Sequence, residues 1–191
     1  MANETEFQML EIETAADLWD WLEVNHAQAE SVWLVTYKKS TPEKFVGTGD
    51  VLDALIAFGW IDGVRRKLDE LRTMQLIAPR KTQAWALSYK ERAARLDRGG
   101  RMHPAGRDAI ARSKAAGLWD FFDDVDRLIV PEDLATALDA NGARGPFDEF
   151  APSYRRNVLR WIKIAKTQKT REKRIVAAAE ATAAGRKLSQ M

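Results

Sequence analysis

The part of this chain best suited to binding chemistry is residues 58–63, FGWIDG, which a run of basic side chains follows. The two flanking glycines allow sharp turns that would present Trp60 as a stacking surface and Asp62 as a hydrogen-bond acceptor. If a β-hairpin carries the basic residues, their cationic groups converge into a cradle for phosphate or carboxylate. The predicted ligand site comprises Trp60, Asp62, Arg66, Arg80 and Lys81.

The same residues also fit a purely structural interpretation. Gly59 would end a helix, Trp60 would belong to the core, and Asp62 with Gly63 would form a tight turn with a positive φ. The basic hairpin face would then be solvated. Residue types and spacing leave both interpretations open.

A second basic region lies at the C-terminal end. Residues 1–50 hold three Lys or Arg and ten Asp or Glu, whereas residues 151–191 hold eleven basic and two acidic residues. Two adjacent basic helices could follow a phosphate backbone, which makes sequence-independent nucleic-acid binding an alternative function. The residues concerned are Arg156, Arg160, Lys163, Arg171 and Arg174. Internal pairing, with the acidic N-terminal segment as the expected partner, is the competing interpretation.

Composition narrows the chemistry further. The chain has no cysteine and two histidines, His26 and His103, for which capping or surface roles are expected. This composition excludes thiolate catalysis and multi-histidine metal sites within one chain. The acidic run at residues 120–126 lacks the glycine and glutamate of a calcium loop and is interpreted as a solvated loop. No cofactor and no metal are predicted; an enzyme that uses a carboxylate such as Asp62 as acid or base remains an alternative.

Periodicity predicts the elements that would position these residues. Helices are expected at residues 14–29 and 48–58, and a strand at residues 31–39. A turn at residues 61–64 leads into a hairpin of strands 64–67 and 72–78. The remaining predicted segments are helical, at residues 84–98, 104–116, 131–140, 147–165 and 170–184.

These elements predict an α+β fold with a small antiparallel or mixed sheet near the N-terminus and a helical C-terminal half. We expect one compact unit over residues 1–191, with an α+β part at 1–83 and a helical part at 84–191. No segment is long and apolar enough to cross a bilayer, and no export signal is visible, so the expected location is the cytosol. The oligomeric state is left open.

Several strings resemble the YdeI/OmpD-associated family, also called bacteriocin-protection proteins, from about Trp19 to Ile175. The strings are WLEVNH, VWLVTYKK, FGWIDG, APRK, GRMHPAG and RWIKIAKTQKTREKRI. The resemblance implies a bacterial protein associated with resistance to antimicrobial peptides; the porin partner in the family name is not carried over. The chain departs from the family's W-S-x-x-N pattern, because Ala86 and Tyr89 stand at the Ser and Asn positions.

Together these observations favour a cytosolic, non-catalytic protein that binds a small anionic ligand or an acidic peptide near the hairpin. The same observations set a condition that the structure must meet if this hypothesis is correct. A ligand site around Trp60 requires Arg66 and Arg80 on one side and an accessible indole.

Overall fold

The computed structural model describes residues 7–188, and it confirms the α+β fold. Contacts divide the chain into two compact units, one ending at Asp120 and the other beginning at Phe121. The sequence had placed the change from mixed to helical structure at residue 83. The first unit extends beyond that point because two further helices, at residues 87–98 and 104–115, pack against the helix at residues 48–57.

A four-stranded mixed sheet forms the base of the first unit. Its strands are β1 (Met9–Glu11), β2 (Val32–Tyr37), β3 (Trp60–Lys67) and β4 (Arg72–Pro79), in the spatial order β1-β2-β4-β3. β1 runs parallel to β2, and the other two pairings are antiparallel. The β3–β4 hairpin was predicted, whereas β1, with three residues, gave no signal in the sequence.

The turn predicted at residues 61–64 is wrong. These residues belong to β3, and the register with β4 shifts between Asp62 and Arg65, which marks a β-bulge or irregularity. Gly63 is not among the glycines with positive φ, and a Cβ there would lie 3.2 Å from the carbonyl oxygen of Leu76. Close backbone approach therefore accounts for this glycine.

Four helices complete the first unit: α1 (Ala15–Asn25), α2 (Thr48–Ala57), α3 (Leu87–Arg98) and α4 (Pro104–Ala115). α1 begins with a capping box in which the Thr14 hydroxyl accepts from Asp17 N–H and the Asp17 carboxylate accepts from Thr14 N–H. Gly59 ends α2 with φ +74°, as predicted. α2 contacts α1, α3, α4 and β3, so its apolar side chains form the centre of the core.

α4 lies close against the end of α2. The Ala57 carbonyl accepts from the backbone N–H of His103, and a Cβ on Gly106 would lie 2.2 Å from the same oxygen. Only glycine permits this approach.

The second unit is helical. It comprises α5 (Asp123–Asp126), α6 (Glu132–Ala140), α7 (Arg144–Glu149), α8 (Pro152–Lys163) and α9 (Gln168–Ala183). One helix predicted at residues 147–165 is thus two, separated before Pro152. α9 contacts α6, α7 and α8, and its alanine-rich buried side lets these helices approach.

In the part of the chain that the structure describes, no helix has the length and apolar character needed to span a membrane.

Candidate ligand-binding site

The structure separates the residues of the predicted ligand site. Trp60 is 1% exposed and donates its indole N–H to the His26 carbonyl oxygen at 3.0 Å. Its ring packs edge to face against Trp21. Trp60 is therefore a core residue and presents no surface on which a ligand could stack.

Arg66 and Asp62 lie on opposite faces of the sheet. Asp62 is paired with Ile77 and Arg66 with Met74, and residues an odd number apart on β4 point to opposite faces. Arg66 lies over the Trp33 ring, on the face away from Asp62. The bulge in β3 produces this change of side, which no sequence pattern indicated.

Asp62 belongs instead to a polar network on the helix side of the sheet. Its carboxylate accepts from the Tyr89 hydroxyl at 2.5 Å and from the Gln75 amide at 3.0 Å. Gln75 in turn accepts from the Arg65 guanidinium at 2.6 Å. Burial, and secondarily the hydrogen bond to Asp62, raises the pKa of Tyr89, so this phenol stays protonated and acts as a donor.

Arg80 is the second predicted residue that reaches this network. It is 4% exposed and lies over the rings of Trp85 and Tyr89, at 4.0 and 5.5 Å from their centroids. Burial lowers the pKa of its guanidinium to about 10. Lys81, the next residue, is exposed, and its backbone N–H is bonded to the Gln83 side chain.

Within the described part of the chain, the Arg80 guanidinium lacks both a carboxylate partner and a hydrogen-bond partner for one of its donors. It donates to the carbonyl oxygens of Gln83 and Ala84, at 3.1 and 3.4 Å, but forms no ion pair with a carboxylate among residues 7–188. Its Nε and the indole Nε1 of Trp85 are buried without a hydrogen-bond partner in the described protein. Buried donors of this kind are uncommon in folded proteins, so each of the two calls for an explanation.

Trp85 connects Arg80 to a groove between α3 and α4. Its ring lies 5.0 Å from that of Trp119, which forms one wall of the groove. The floor is apolar, with Ala93, Met102 and Ile110, and the volume is about 240 Å³.

Charged side chains surround this floor. Arg107 pairs with Asp97 at 2.9 Å, and Lys90 lies 3.6 Å from Asp120. Lys114 lies over the Trp119 ring at 5.1 Å and has no carboxylate partner within the described residues. The groove thus combines an apolar floor with a cation that no protein carboxylate neutralises.

Local sequence explains how Trp119 reaches this position. α4 ends before Gly117, whose φ of +68° directs the chain back, and the N–H groups of Leu118 and Trp119 both bond to the Ser113 carbonyl. The Leu118 carbonyl oxygen then accepts a hydrogen bond from the backbone N–H of Trp85 at 3.1 Å. The sequence identifies Gly117 as the end of a helix, and Trp119 follows two residues later. The contact between Trp119 and Trp85 could not be predicted, because it joins residues that are distant along the chain.

Three of the five C-terminal residues predicted to bind nucleic acid have partners inside their own unit. Arg171 forms two hydrogen bonds with the Asp133 carboxylate, at 2.6 and 2.9 Å, and Lys163 lies 2.5 Å from Asp124. Arg174 bonds to the Trp161 carbonyl oxygen. The expected partner, the acidic N-terminal segment, is not the one observed. Pairing within the unit leaves fewer cations available for phosphate than the sequence suggested.

The two remaining residues of that set, Arg156 and Arg160, have no carboxylate partner among the described residues. Arg160 lies over the Phe122 ring at 4.9 Å, and its Nε is buried without a hydrogen-bond partner. Arg156 is half-exposed. Nucleic-acid binding by the C-terminal helices stays a prediction.

Two family models match the chain, and each match lies within one of the two compact units. A family model described as Domain of unknown function (DUF8412) matches residues 10–109. A second, described as Bacteriocin-protection, YdeI or OmpD-Associated, matches residues 127–185. Neither a curated protein nor a solved structure matches the chain significantly.

Proposed function

We propose a ligand-binding function for this chain, which belongs to the DUF8412 domain family over residues 10–109 and matches the predicted YdeI/OmpD-associated family over residues 127–185. The proposed ligand is a small organic anion with an apolar part, or the acidic side chain of a peptide. The proposed site is the groove between α3 and α4, and the proposed location of the protein is the cytosol.

The observation that carries this proposal is the pair of unmatched cations near Trp85 and Trp119. Arg80 is buried without an ion-pair partner, and Lys114 lies at the groove with none among the described residues. Burying a guanidinium without a carboxylate costs stability. A bound anion would offset that cost through charge attraction across a region of low dielectric constant.

Arg80 and Lys114 have different proposed roles. Lys114 contacts the anionic group directly, because it lines the groove. Arg80 lies over Trp85 and contributes positive potential, and the Tyr89 ring, which is bonded to Asp62, packs against it. Trp60, Arg66 and Lys81 have no part in the proposed site.

The size and lining of the groove limit the ligand. A volume of about 240 Å³ suits one ring or a short aliphatic chain. Ala93, Met102 and Ile110 would contact that part, and the face of Trp119 would flank it. Lys- and Arg-rich antimicrobial peptides fit this chemistry poorly, because the groove would repel them. Any protective role is therefore proposed to act through an anionic ligand.

Calorimetric titration with phenyl phosphate, benzoate and a Glu-Phe dipeptide amide tests the proposal. Benzamide, which lacks the charge, is the matched neutral probe. We expect binding of at least one anion, no binding of benzamide, and a loss of roughly tenfold in affinity for Lys114→Gln, since a hydrogen bond to a charged group is worth about 1.5 kcal/mol.

Lys173→Gln is the control variant. Lys173 is an exposed lysine of α9. The same substitution there changes net charge equally but leaves the groove intact. Equal losses for the two variants would indicate nonspecific charge attraction and contradict the proposed site.

A further inference from the structure

We propose that a second depression in the first unit binds a free α-amino acid with an apolar side chain, as its zwitterion. The depression has a volume of about 500 Å³ and lies where α1 meets the start of α4. Its lining includes Trp19, Glu23, Phe58, Arg101 and His103. Met102 lines both this depression and the groove, but these five residues take no part in the groove proposal, so the two inferences can be tested separately.

His103 supplies a hydrogen-bond donor whose identity the backbone determines. His103 is the N-cap of α4, and its Nδ1 accepts from Ala105 N–H at 3.2 Å. A ring nitrogen that accepts carries no proton, so the neutral imidazole bears its hydrogen on Nε2. The Nε2–H group is therefore available to an acceptor such as a carboxylate oxygen.

The ring of His103 is held in place on two sides. Phe58 stacks on it at 4.7 Å between centroids, and His26 packs against it at 4.6 Å. His26 is itself bound to the end of α1, because its Nδ1 lies 3.1 Å from the Leu22 carbonyl oxygen. His26 and Phe58 are thus positioning residues that fix the direction of the His103 donor.

Glu23 supplies the complementary acceptor. Its Oε1 lies 4.0 Å from His103 Nε2, too far for a hydrogen bond between them, and its side chain is 65% exposed. A donor and an acceptor at this separation match an α-amino acid, whose ammonium nitrogen and nearer carboxylate oxygen are roughly 3 Å apart. The ammonium group would bond to Glu23 and the carboxylate to His103.

Arg101 and Trp19 complete the site. The Arg101 guanidinium lies over the Trp19 ring at 4.6 Å and forms no ion pair with a carboxylate among residues 7–188. It supplies the positive charge that a carboxylate requires. Trp19, which is partly exposed, gives an apolar surface for the ligand's side chain, and the buried Phe58 supports it in edge-to-face contact.

The test uses the imidazole resonances as a local readout, because the chain has two histidines and both lie here. Long-range proton–nitrogen spectra of the wild-type protein are recorded during titration with L-phenylalanine, 3-phenylpropionate and phenethylamine. The last two ligands lack the ammonium and the carboxylate groups, respectively. We expect His103 to report binding of L-phenylalanine with at least tenfold higher affinity than of either analogue.

Two variants assign the contacts. Glu23→Gln is expected to reduce the affinity for L-phenylalanine to that for 3-phenylpropionate. His103→Asn keeps a side-chain acceptor at the N-cap, so α4 is retained, and removes the Nε2–H donor; its binding, followed at His26, is expected to fall at least tenfold. Glu91→Gln, on the exposed side of α3, is the control and is expected to bind as the wild type does.

The inference is overturned if L-phenylalanine binds no more tightly than its analogues, or if Glu23→Gln leaves its affinity unchanged. A spectrum that shows His103 protonated on Nδ1 at neutral pH would also overturn it. Loss of groove binding in Lys114→Gln with unchanged histidine titrations would separate this site from the proposed groove function.

Discussion

The two units of this chain differ in how their least exposed basic side chains are paired with carboxylates. In the C-terminal unit, where basic residues are densest, Arg171, Lys163 and Arg155 each pair with a carboxylate of the same unit, and Arg160, which has none among the described residues, is only partly buried. In the N-terminal unit, where charge along the sequence is balanced or acidic, Arg80 is buried and has no carboxylate partner among residues 7–120. Charge density along a sequence therefore does not indicate where unmatched charge lies in the fold, and unmatched charge is what attracts a ligand.

The largest expected effect concerns close packing in the N-terminal unit. Gly106→Ala would place a Cβ 2.2 Å from the Ala57 carbonyl oxygen and 2.7 Å from Met102 Sδ. Because backbone must move to relieve this overlap, we expect the free energy of unfolding to fall by about 3 kcal/mol. Urea denaturation measures it.

Gly145→Ala, in α7, is the matched substitution in the C-terminal unit. Nothing lies within 4 Å of a Cβ at this position. The change is expected to be neutral or stabilising by up to about 1 kcal/mol. Similar losses for both substitutions would show that the units do not differ in how tightly their glycines are packed.

Arg80→Met tests whether the buried charge serves binding. We expect affinity for the anionic probe of the groove to fall about tenfold, while the free energy of unfolding is unchanged or rises, because an unpaired buried charge is replaced by an apolar side chain. Calorimetry and urea denaturation measure the two quantities. A variant that unfolds more easily yet binds normally would make Arg80 a structural residue.

The difference in the free energy of unfolding between the wild type and Arg80→Met is expected to depend on pH. The pKa of Arg80 is lowered to about 10 in the folded protein, so the unfolded chain holds its proton more tightly. The stability of the wild type is therefore expected to rise relative to Arg80→Met as pH increases above 10. Denaturation at pH 8 and pH 11 checks this sign.

Removing one helix cap in each unit is expected to change the free energy of unfolding by a smaller amount. Thr14→Ala removes a reciprocal capping box in the N-terminal unit, whereas Thr167→Ala removes one hydroxyl acceptor for Thr170 N–H in the C-terminal unit. We expect losses of about 1 kcal/mol and about 0.5 kcal/mol in the free energy of unfolding. Urea denaturation followed by circular dichroism measures both, and the reverse order would contradict the capping geometry.

The smallest expected effect is that of a surface ion pair. The bond from Arg171 holds the pKa of Asp133 below its usual value, so this pair stabilises the folded protein above that value and ceases to do so as pH falls through the lowered pKa. We expect Arg171→Gln to cost about 0.5 kcal/mol at pH 7, and we expect this cost to decrease as the pH is lowered and Asp133 becomes protonated. A cost that does not decrease as the pH is lowered would exclude the ion pair as its source.

Much of the fold could be predicted because the local signals agree with it. Thr14 with Asp17, the apolar stripe of the second helix, and Gly59 after it each specify an element through nearby residues. β1 and the break between α7 and α8 were missed. A three-residue strand is specified by its pairing with β2, and that information is not local.

The site could be predicted less well, because it depends on side chains meeting across the fold. Asp62 and Arg80 were identified, and the structure brings them together through Tyr89. Trp60 and Arg66 were assigned to the same site, but burial and the irregularity in β3 separate them. Their binding roles rested on a regular hairpin, which the sequence could not distinguish from a bulged one.

The Ala57 carbonyl, bonded to His103 N–H and closely approached by Gly106, limits how such chains can recombine. A crossover between relatives at residues 58–102 would join an α2 from one parent to an α4 from the other, and the two would have to fit to within a few tenths of an ångström. A crossover between residues 121 and 126 avoids this, because it falls after the first unit ends at Asp120 and before the second family match begins. The units are therefore expected to be inherited as interchangeable modules, each with its own tight contacts intact.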